Sequence, residues 1–437
     1  LIVRAALLPL SLDRAIRVVS RQPLPCAVKL SASEPCARTW VACNPVRVVR
    51  GPNIEELADA WDEARSRWRV DKTAAVPVAA GLLSYDLGRR FERIQTVLPA
   101  SDASDTEFRF YDGFAVFGGN ARGFEVWAVD DRRADEVIGQ LGAPDGRSVN
   151  EDALPSSETL VEMEPPERHL AAIGRALDYI RAGDIYQVNL ARRLGCRFPC
   201  APGSAPGAAL FLALDRVAPA RFAIWLADPA NASAVVGNSP ERFLHRGVDG
   251  SIETCPIKGT RPRGRPGGLG RNADALLASA KDRAEHVMIV DLERNDLGRI
   301  CETGSVRVEG LCELLTLPTV YHLVTTVRGQ LRPEVGLAGI LRATFPGGSV
   351  TGAPKIRAMQ IIEELEPARR GPYTGATGWL GAAGDFDLAV AIRTASIADH
   401  RLLLWVGGGI VADSDPEDEL DETWDKAQAF SRALAMG

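Results

Sequence analysis

Short apolar runs closed off by glycine recur along this chain, and they restrict it to a fold that mixes strands with helices. Val76–Asp86 and Phe108–Val129 are strand-like, with Gly113, Gly118, Gly119 and Gly123 marking turns. Residues 1–50 alternate apolar stretches with Pro and Arg, which predicts strands and turns. Ala232–Val236 is a further strand, and Leu402–Val406 runs apolar into Gly407-Gly408-Gly409. Helical patterns lie between. Ile54, Leu57, Ala58, Trp61, Ala64 and Trp68 keep the spacing of one buried helical face across Asn53–Trp68. Asp131–Leu141, Glu167–Gly183, Ala280–Arg294 and Pro416–Leu434 also read as helices, Gly183 being a usual residue just past a helix end. Gly142–Pro166 is rich in Pro, Ser, Asp and Glu, and its weak periodicity predicts a linker or exposed connection. No internal repeat appears at solenoid periods.

The 437 residues, 46% hydrophobic and 25% charged, allow two or three globular domains or one large intertwined unit. A net charge of −6 gives no general attraction for nucleic acid, and no arginine-aromatic array offers to stack bases. No apolar run approaches the roughly 20 residues that cross a bilayer, so no membrane partner is expected. Leu1–Leu10 is broken by Arg4 and Pro9 and lacks a cleavage site, so a signal peptide is not expected. Eight scattered cysteines without a Cys-x-x-Cys pair argue for reduced thiols and a cytoplasmic location.

Several stretches carry chemistry. Pro256-Ile257-Lys258-Gly259-Thr260 sets a lysine among apolar and small residues in a chain whose positive charge is mostly arginine. An amine against apolar walls loses solvation and becomes nucleophilic. On the local sequence alone, a lysine pinning a loop through an ion pair is the commoner outcome. Two helices carry carboxylates three residues apart, Asp282 with Glu285 and Glu419 with Glu422, each pair on one face. Four carboxylates facing across a cleft need a cation between them, and oxygen-only donors suit Mg²⁺. Each pair alone is more simply a solvated face. Asn238-Ser239-Pro240-Glu241-Arg242 places Glu241 after a strand, as a general acid or as the surface partner of Arg242. Gly347-Gly348-Ser349-Val350-Thr351-Gly352-Ala353-Pro354-Lys355 lacks the Gly-Lys-Ser/Thr of a P-loop. It reads as a Gly-rich turn into a helix starting near Pro354, with N–H groups able to hold an anion. Gly407, Gly408 and Gly409 let the backbone approach a ligand, or form a bulge.

In this order the pieces resemble the chorismate-utilising enzymes, which include anthranilate synthase component I, aminodeoxychorismate synthase component I and the isochorismate and salicylate synthases. The resemblance spans Glu167–Phe430, with an echo in Gly81–Glu92. It rests on Ile185-Tyr186-Gln187-Val188-Asn189-Leu190, Lys281-Asp282-Arg283-Ala284-Glu285-His286 and Asp291-Leu292-Glu293-Arg294-Asn295-Asp296, with the Gly347–Lys355 turn and Asp421-Glu422-Thr423-Trp424-Asp425-Lys426. Family members that add water carry a lysine where this chain has Gln187, so the resemblance implies ammonia as the nucleophile. Lys258, and Gly348 with Ser349, resemble the aminodeoxychorismate synthase branch, whereas anthranilate synthases usually have alanine in place of Lys258.

The resemblance implies a site. Lys258 would attack C2 of chorismate while Glu241 protonates the C4 hydroxyl, and ammonia would then take C4 and expel the lysine. Glu285 and Glu422 would bind Mg²⁺ directly, with Asp282 and Glu419 acting through water. Tyr373, Arg393, Lys426 and the N–H groups of Gly407, Gly408 and Gly409 would hold the enolpyruvyl carboxylate. Ser349 and His322 would lie near the ring. The implied fold is α/β (α+β), two antiparallel sheets packed as a sandwich with outer helices and the site in a cleft between the halves. Residues 1–145 would interleave with the main fold, 146–166 would be a linker or exposed connection, and 167–437 the catalytic region. No Gly-x-Cys-x-Gly elbow is present, so ammonia would come from a separate glutamine amidotransferase subunit in a heterodimer. Leu30-Ser31-Ala32-Ser33-Glu34 only roughly matches the family's tryptophan-binding element. Anthranilate synthase component I, 2-amino-2-deoxyisochorismate synthase and a non-catalytic regulator stand as alternatives.

Overall fold

The computed structural model describes every residue except 7–9, 31–37, 71–74, 93, 100–103, 119–122, 143–153, 155–157, 201–204, 264–270 and 317–319. Its helices start where the sequence supplies an acceptor. Asn53 accepts the Glu55 N–H at 3.1 Å ahead of Ile54–Trp68. Asp130 accepts the Arg133 N–H at 2.7 Å ahead of Asp131–Leu141, and Ser279 the Asp282 N–H at 3.2 Å ahead of Ala280–Gly298. Asp415 caps Pro416–Leu434 in the same way. Each cap satisfies an N–H that the helix leaves without a partner, worth about 1 kcal/mol. Pro166–Arg181 begins on a proline and ends ahead of Gly183, which takes a φ of 80°.

Among the described residues the strands form two antiparallel sheets, of 12 and 10 strands. In the larger, Phe222–Asp228 lies between Cys26–Leu30 and Ser233–Ser239. Further along it, Gln187–Arg197 pairs with Arg401–Ile410. In the smaller, Pro77–Leu83 lies between Thr106–Phe110 and Ala376–Gly381, and Val320–Gln330 lies between Ile257–Pro262 and Arg307–Thr316. Alternation along the strands sorts the side chains. Cys26, Val28, Trp40 and Ala42 of the larger sheet share one core with Val78, Leu244 and Phe386 of the smaller. Ala27 and Val41 face the other way, into a core covered by Leu12–Val19, Asp131–Leu141, Ala208–Val217 and Pro416–Leu434. This is the expected sandwich with outer helices. Among the described residues no helix is long and apolar enough to cross a membrane.

Several expectations shift. Leu12–Val19 is a helix inside the stretch expected to hold strands and turns: Ser11 caps it, and Ala15, Ile16 and Val19 bury one face. Phe108–Val129 divides into Thr106–Phe110, Gly113–Phe117 and Phe124–Ala128. Val76–Asp86 ends its strand at Leu83, and Asp86 starts the helix Asp86–Glu92. The strand at Leu402 does not stop at the glycines; Gly407, Gly408 and Gly409 stay in it, paired with Ala191, Leu190 and Asn189. In the Gly142–Pro166 stretch, Leu154 is buried and Val161–Glu162 pairs with Leu194 and Gly195, while most of the remainder lies outside the described residues. The Leu30–Glu34 element likewise lies largely outside them.

Candidate active site

The two sheets bring their chemistry together at Lys258. It rises from the strand Ile257–Pro262 of the smaller sheet, and Gln187 and Gly409 come from paired strands of the larger. A Cβ on Gly409 would fall 2.7 Å from Gln187 Nε2 and 3.0 Å from Lys258 Nζ, so only glycine leaves the room these two side chains use. Lys258 Nζ lies 2.7 Å from Glu285 Oε2, with side chains 21% and 10% exposed. The lysine is therefore ion-paired, and its partner is a candidate metal ligand on the helix Ala280–Gly298.

The carboxylate pairs gather around that lysine. Lys426 holds Glu422 at 2.6 Å, and its charge keeps the Glu422 carboxyl below the usual range, with Lys258 and Arg261 adding to the effect. Burial pushes Glu419 up, against a 2.7 Å hydrogen bond from Ser414, while the Glu422 charge adds to the rise. A Cβ on Gly408 would meet Glu419 Oε2 at 2.9 Å. Asp282 is paired with Arg261 at 3.0 Å. Among the described residues no three His, Cys, Asp or Glu side chains close into a ligand cluster. Lys258 and Lys426 supply the positive charge beside the carboxylates. The four candidate donors are all oxygen, the type Mg²⁺ takes, and each is held by a cation or hydroxyl of the chain.

Glu241 is 5% exposed. Burial pushes its carboxyl up to about 7, against a hydrogen bond from Ser349, the Ile257 N–H and the charges of Lys258 and Arg393. Arg242 points to the other side, bonding Asp387 through two 2.9 Å contacts and Glu253 at 2.5 Å, so it does not hold Glu241 at the surface. Arg393 has a φ of 50°, rare for a residue with a side chain, and burial lowers its pKa against the pull of Glu241. Lys426 donates to the Gly407 carbonyl at 2.7 Å. His322, held near 4 by burial, is neutral, and its Nδ1–H donates to the Gly259 carbonyl at 3.1 Å. Tyr373 is buried. It lies flat on Trp405 with centroids 5.9 Å apart, under Arg370, and packs with Ala191, which pairs with Gly407.

Four charged residues under the site carried no expected role. Arg370 and Glu366 form a buried pair at 2.6 Å; Arg370 also donates to the Val350 and Asn189 carbonyls, and Glu366 accepts the Ala191 N–H. Glu293 and Asp296 are buried on the helix Ala280–Gly298. A signal for the latter two exists: they share the spacing of His286, Ile289, Val290 and Leu297, the helix's buried face.

A family model described as "chorismate binding enzyme" matches residues 28–432. The aminodeoxychorismate synthase of Streptomyces pristinaespiralis is 44% identical over 311 residues, covering 71% of this chain and 42% of that protein. The chain therefore spans less than half the length of that relative. The aminodeoxychorismate synthase component 1 of Klebsiella aerogenes is 39% identical over 360 residues, covering 82% of this chain and 77% of that protein. The crystal structure of anthranilate synthase component I from Streptococcus pneumoniae TIGR4 superposes with a TM-score of 0.77 at 31% identity, over 92% of this chain and 93% of that one.

Proposed function

The chain belongs to the chorismate-binding enzyme family, and from that premise we propose that it aminates chorismate at C4, as component I of an aminodeoxychorismate synthase. The observation that carries this is the meeting of Lys258 with Gln187 at Gly409, an amine nucleophile beside an amide that cannot activate water. Lys258 attacks C2 as the free amine, so its ion pair with Glu285 opens in the reacting state. The C2–N bond forms, both ring double bonds shift, and the C4 hydroxyl leaves as water with the proton of Glu241. Ammonia then bonds to C4, both double bonds shift back, and the C2–N bond to Lys258 breaks. Glu241 suits the acid's part because a carboxyl at about 7 still carries a proton near neutrality. Mg²⁺, bound by Glu285 and Glu422 with Asp282 and Glu419 behind them, would supply positive charge for the ring carboxylate. Arg393 would take the enolpyruvyl carboxylate by two parallel hydrogen bonds, with Lys426 adding its charge.

Ammonia is proposed to come from a glutamine amidotransferase subunit in the cytoplasm, and the product to serve 4-aminobenzoate and folate synthesis. The Klebsiella relative's "component 1" supports a second component. A second reading, anthranilate synthase component I, is favoured by the TM-score of 0.77 to that enzyme. The test is Lys258→Ala. Turnover to the 4-amino product is expected to fall by about three orders of magnitude with KM for chorismate changed only a few-fold. The wild-type peptide holding Lys258 is expected to gain a chorismate-derived mass when ammonia is withheld. A variant forming the 4-amino product at the wild-type rate would show that the lysine only anchors its loop.

A further inference from the structure

The motif Asp291-Leu292-Glu293-Arg294-Asn295-Asp296 plays no part in that mechanism, yet two of its carboxyls are buried under the site. Glu293 and Asp296 are each 3% exposed, on the helix face that also carries Ile289, Val290 and Leu297. A carboxyl in such a place needs a partner. Both find theirs in the Gly347–Lys355 turn. Glu293 Oε1 accepts the Gly348 N–H at 2.8 Å. Asp296 pairs with Lys355, whose ammonium also donates to the Thr344 carbonyl at 3.1 Å. Two carboxyls one helical turn apart thus hold both ends of the turn. The approach is close: a Cβ on Gly348 would fall 2.6 Å from Leu292 Cδ2 and 3.0 Å from Glu293 Oε1. The next residue, Ser349, hydrogen-bonds Glu241. The contacts therefore run from Glu293 through Gly348 and Ser349 to Glu241.

We infer that Glu293 is a positioning residue for Glu241: through Gly348 it fixes the turn that brings Ser349 to the acid, and its charge acts on that same acid. The inference rests on Glu241 being the general acid. The charged groups facing Glu293 are Asp296, Lys355 and Glu241; those facing Glu241 are Lys258 and Arg393. Asp296 in turn faces Lys355, Arg299 and Glu92. Burial first, then the Asp296 charge, pushes the Glu293 carboxyl up against Lys355 and the Gly348 N–H, and Glu241 adds to the rise. Two buried carboxyls that feel each other resist ionising together, so each carboxyl favours the proton on the other.

The test is the pH dependence of kcat with chorismate and ammonium for wild type, Glu293→Gln, Glu293→Ala and Glu241→Gln. Glutamine keeps the acceptor for Gly348 but removes the charge, which makes Glu241 easier to ionise. The alkaline limb of Glu293→Gln is expected to move to lower pH by about half a unit or more, with the plateau within about threefold of wild type. Alanine also removes the acceptor, so its plateau is expected to fall about tenfold or more with KM little changed. If Glu293→Ala does not fold, the limb of Glu293→Gln decides. A Glu293→Gln limb lying over the wild-type limb would overturn the inference. An active Glu241→Gln would instead overturn the general-acid reading; an inactive Glu241→Gln with an unmoved Glu293→Gln limb would remove only the role of Glu293.

Discussion

At the scale of single residues, the site is built from charges held where water is scarce. Glu241 shows the consequence most plainly. Burial raises its folded-state pKa to about 7, above its unfolded value, so the folded state prefers the protonated form. The stability tied to that proton is present below the usual carboxyl range and is lost as pH rises through about 7. Glu241→Gln removes that loss. Its melting temperature is expected to match wild type near pH 5 and to exceed it by a few degrees at pH 8, for a gain of order 2–3 kcal/mol at most. Turnover is expected to be abolished in the same variant. Stability falling at pH 8 as well would show that the carboxylate is favourably paired rather than strained.

At the scale of elements, the strand Arg401–Ile410 matters because its glycines stay inside the sheet. Gly409→Ala puts a methyl group where Gln187 Nε2 and Lys258 Nζ now sit, at 2.7 and 3.0 Å. Turnover is expected to fall about tenfold or more, with a small change in melting temperature. Gly174→Ala on the helix Pro166–Arg181 meets nothing within 4 Å, so it is expected to stabilise by about 0.5–1 kcal/mol without touching activity. Equal effects from the two would deny Gly409 its place in the site. Much of this scale was legible in the sequence, because helical spacing is local: Ile54, Leu57, Trp61, Ala64 and Trp68 announce the buried face of their helix. The course of the Gly407–Gly409 segment was not legible, since its conformation is set by pairing with Ala191, Leu190 and Asn189, some 200 residues away. The burial of Glu293 and Asp296 was written in their spacing but masked by their charge. The partner of Lys258 was beyond reach, because Glu285 arrives from another element.

At the scale of the whole molecule, strands from both ends of the chain share each sheet. Phe222–Asp228 needs Cys26–Leu30 as a neighbour, and Ala376–Gly381 needs Pro77–Leu83. A fragment of residues 167–437 would expose both as open edges over an uncovered core. It is expected to aggregate or remain unfolded by circular dichroism. A monomeric fragment with a cooperative melt would contradict that dependence. The central claim is that this shared framework sets Lys258 beside Gln187 so that chorismate is aminated at C4. It is tested most directly by incubating the intact chain with chorismate, Mg²⁺ and ammonium and identifying the product by chromatography and mass spectrometry. The expected product is 4-amino-4-deoxychorismate without anthranilate; anthranilate or a 2-amino product in its place would contradict the claim.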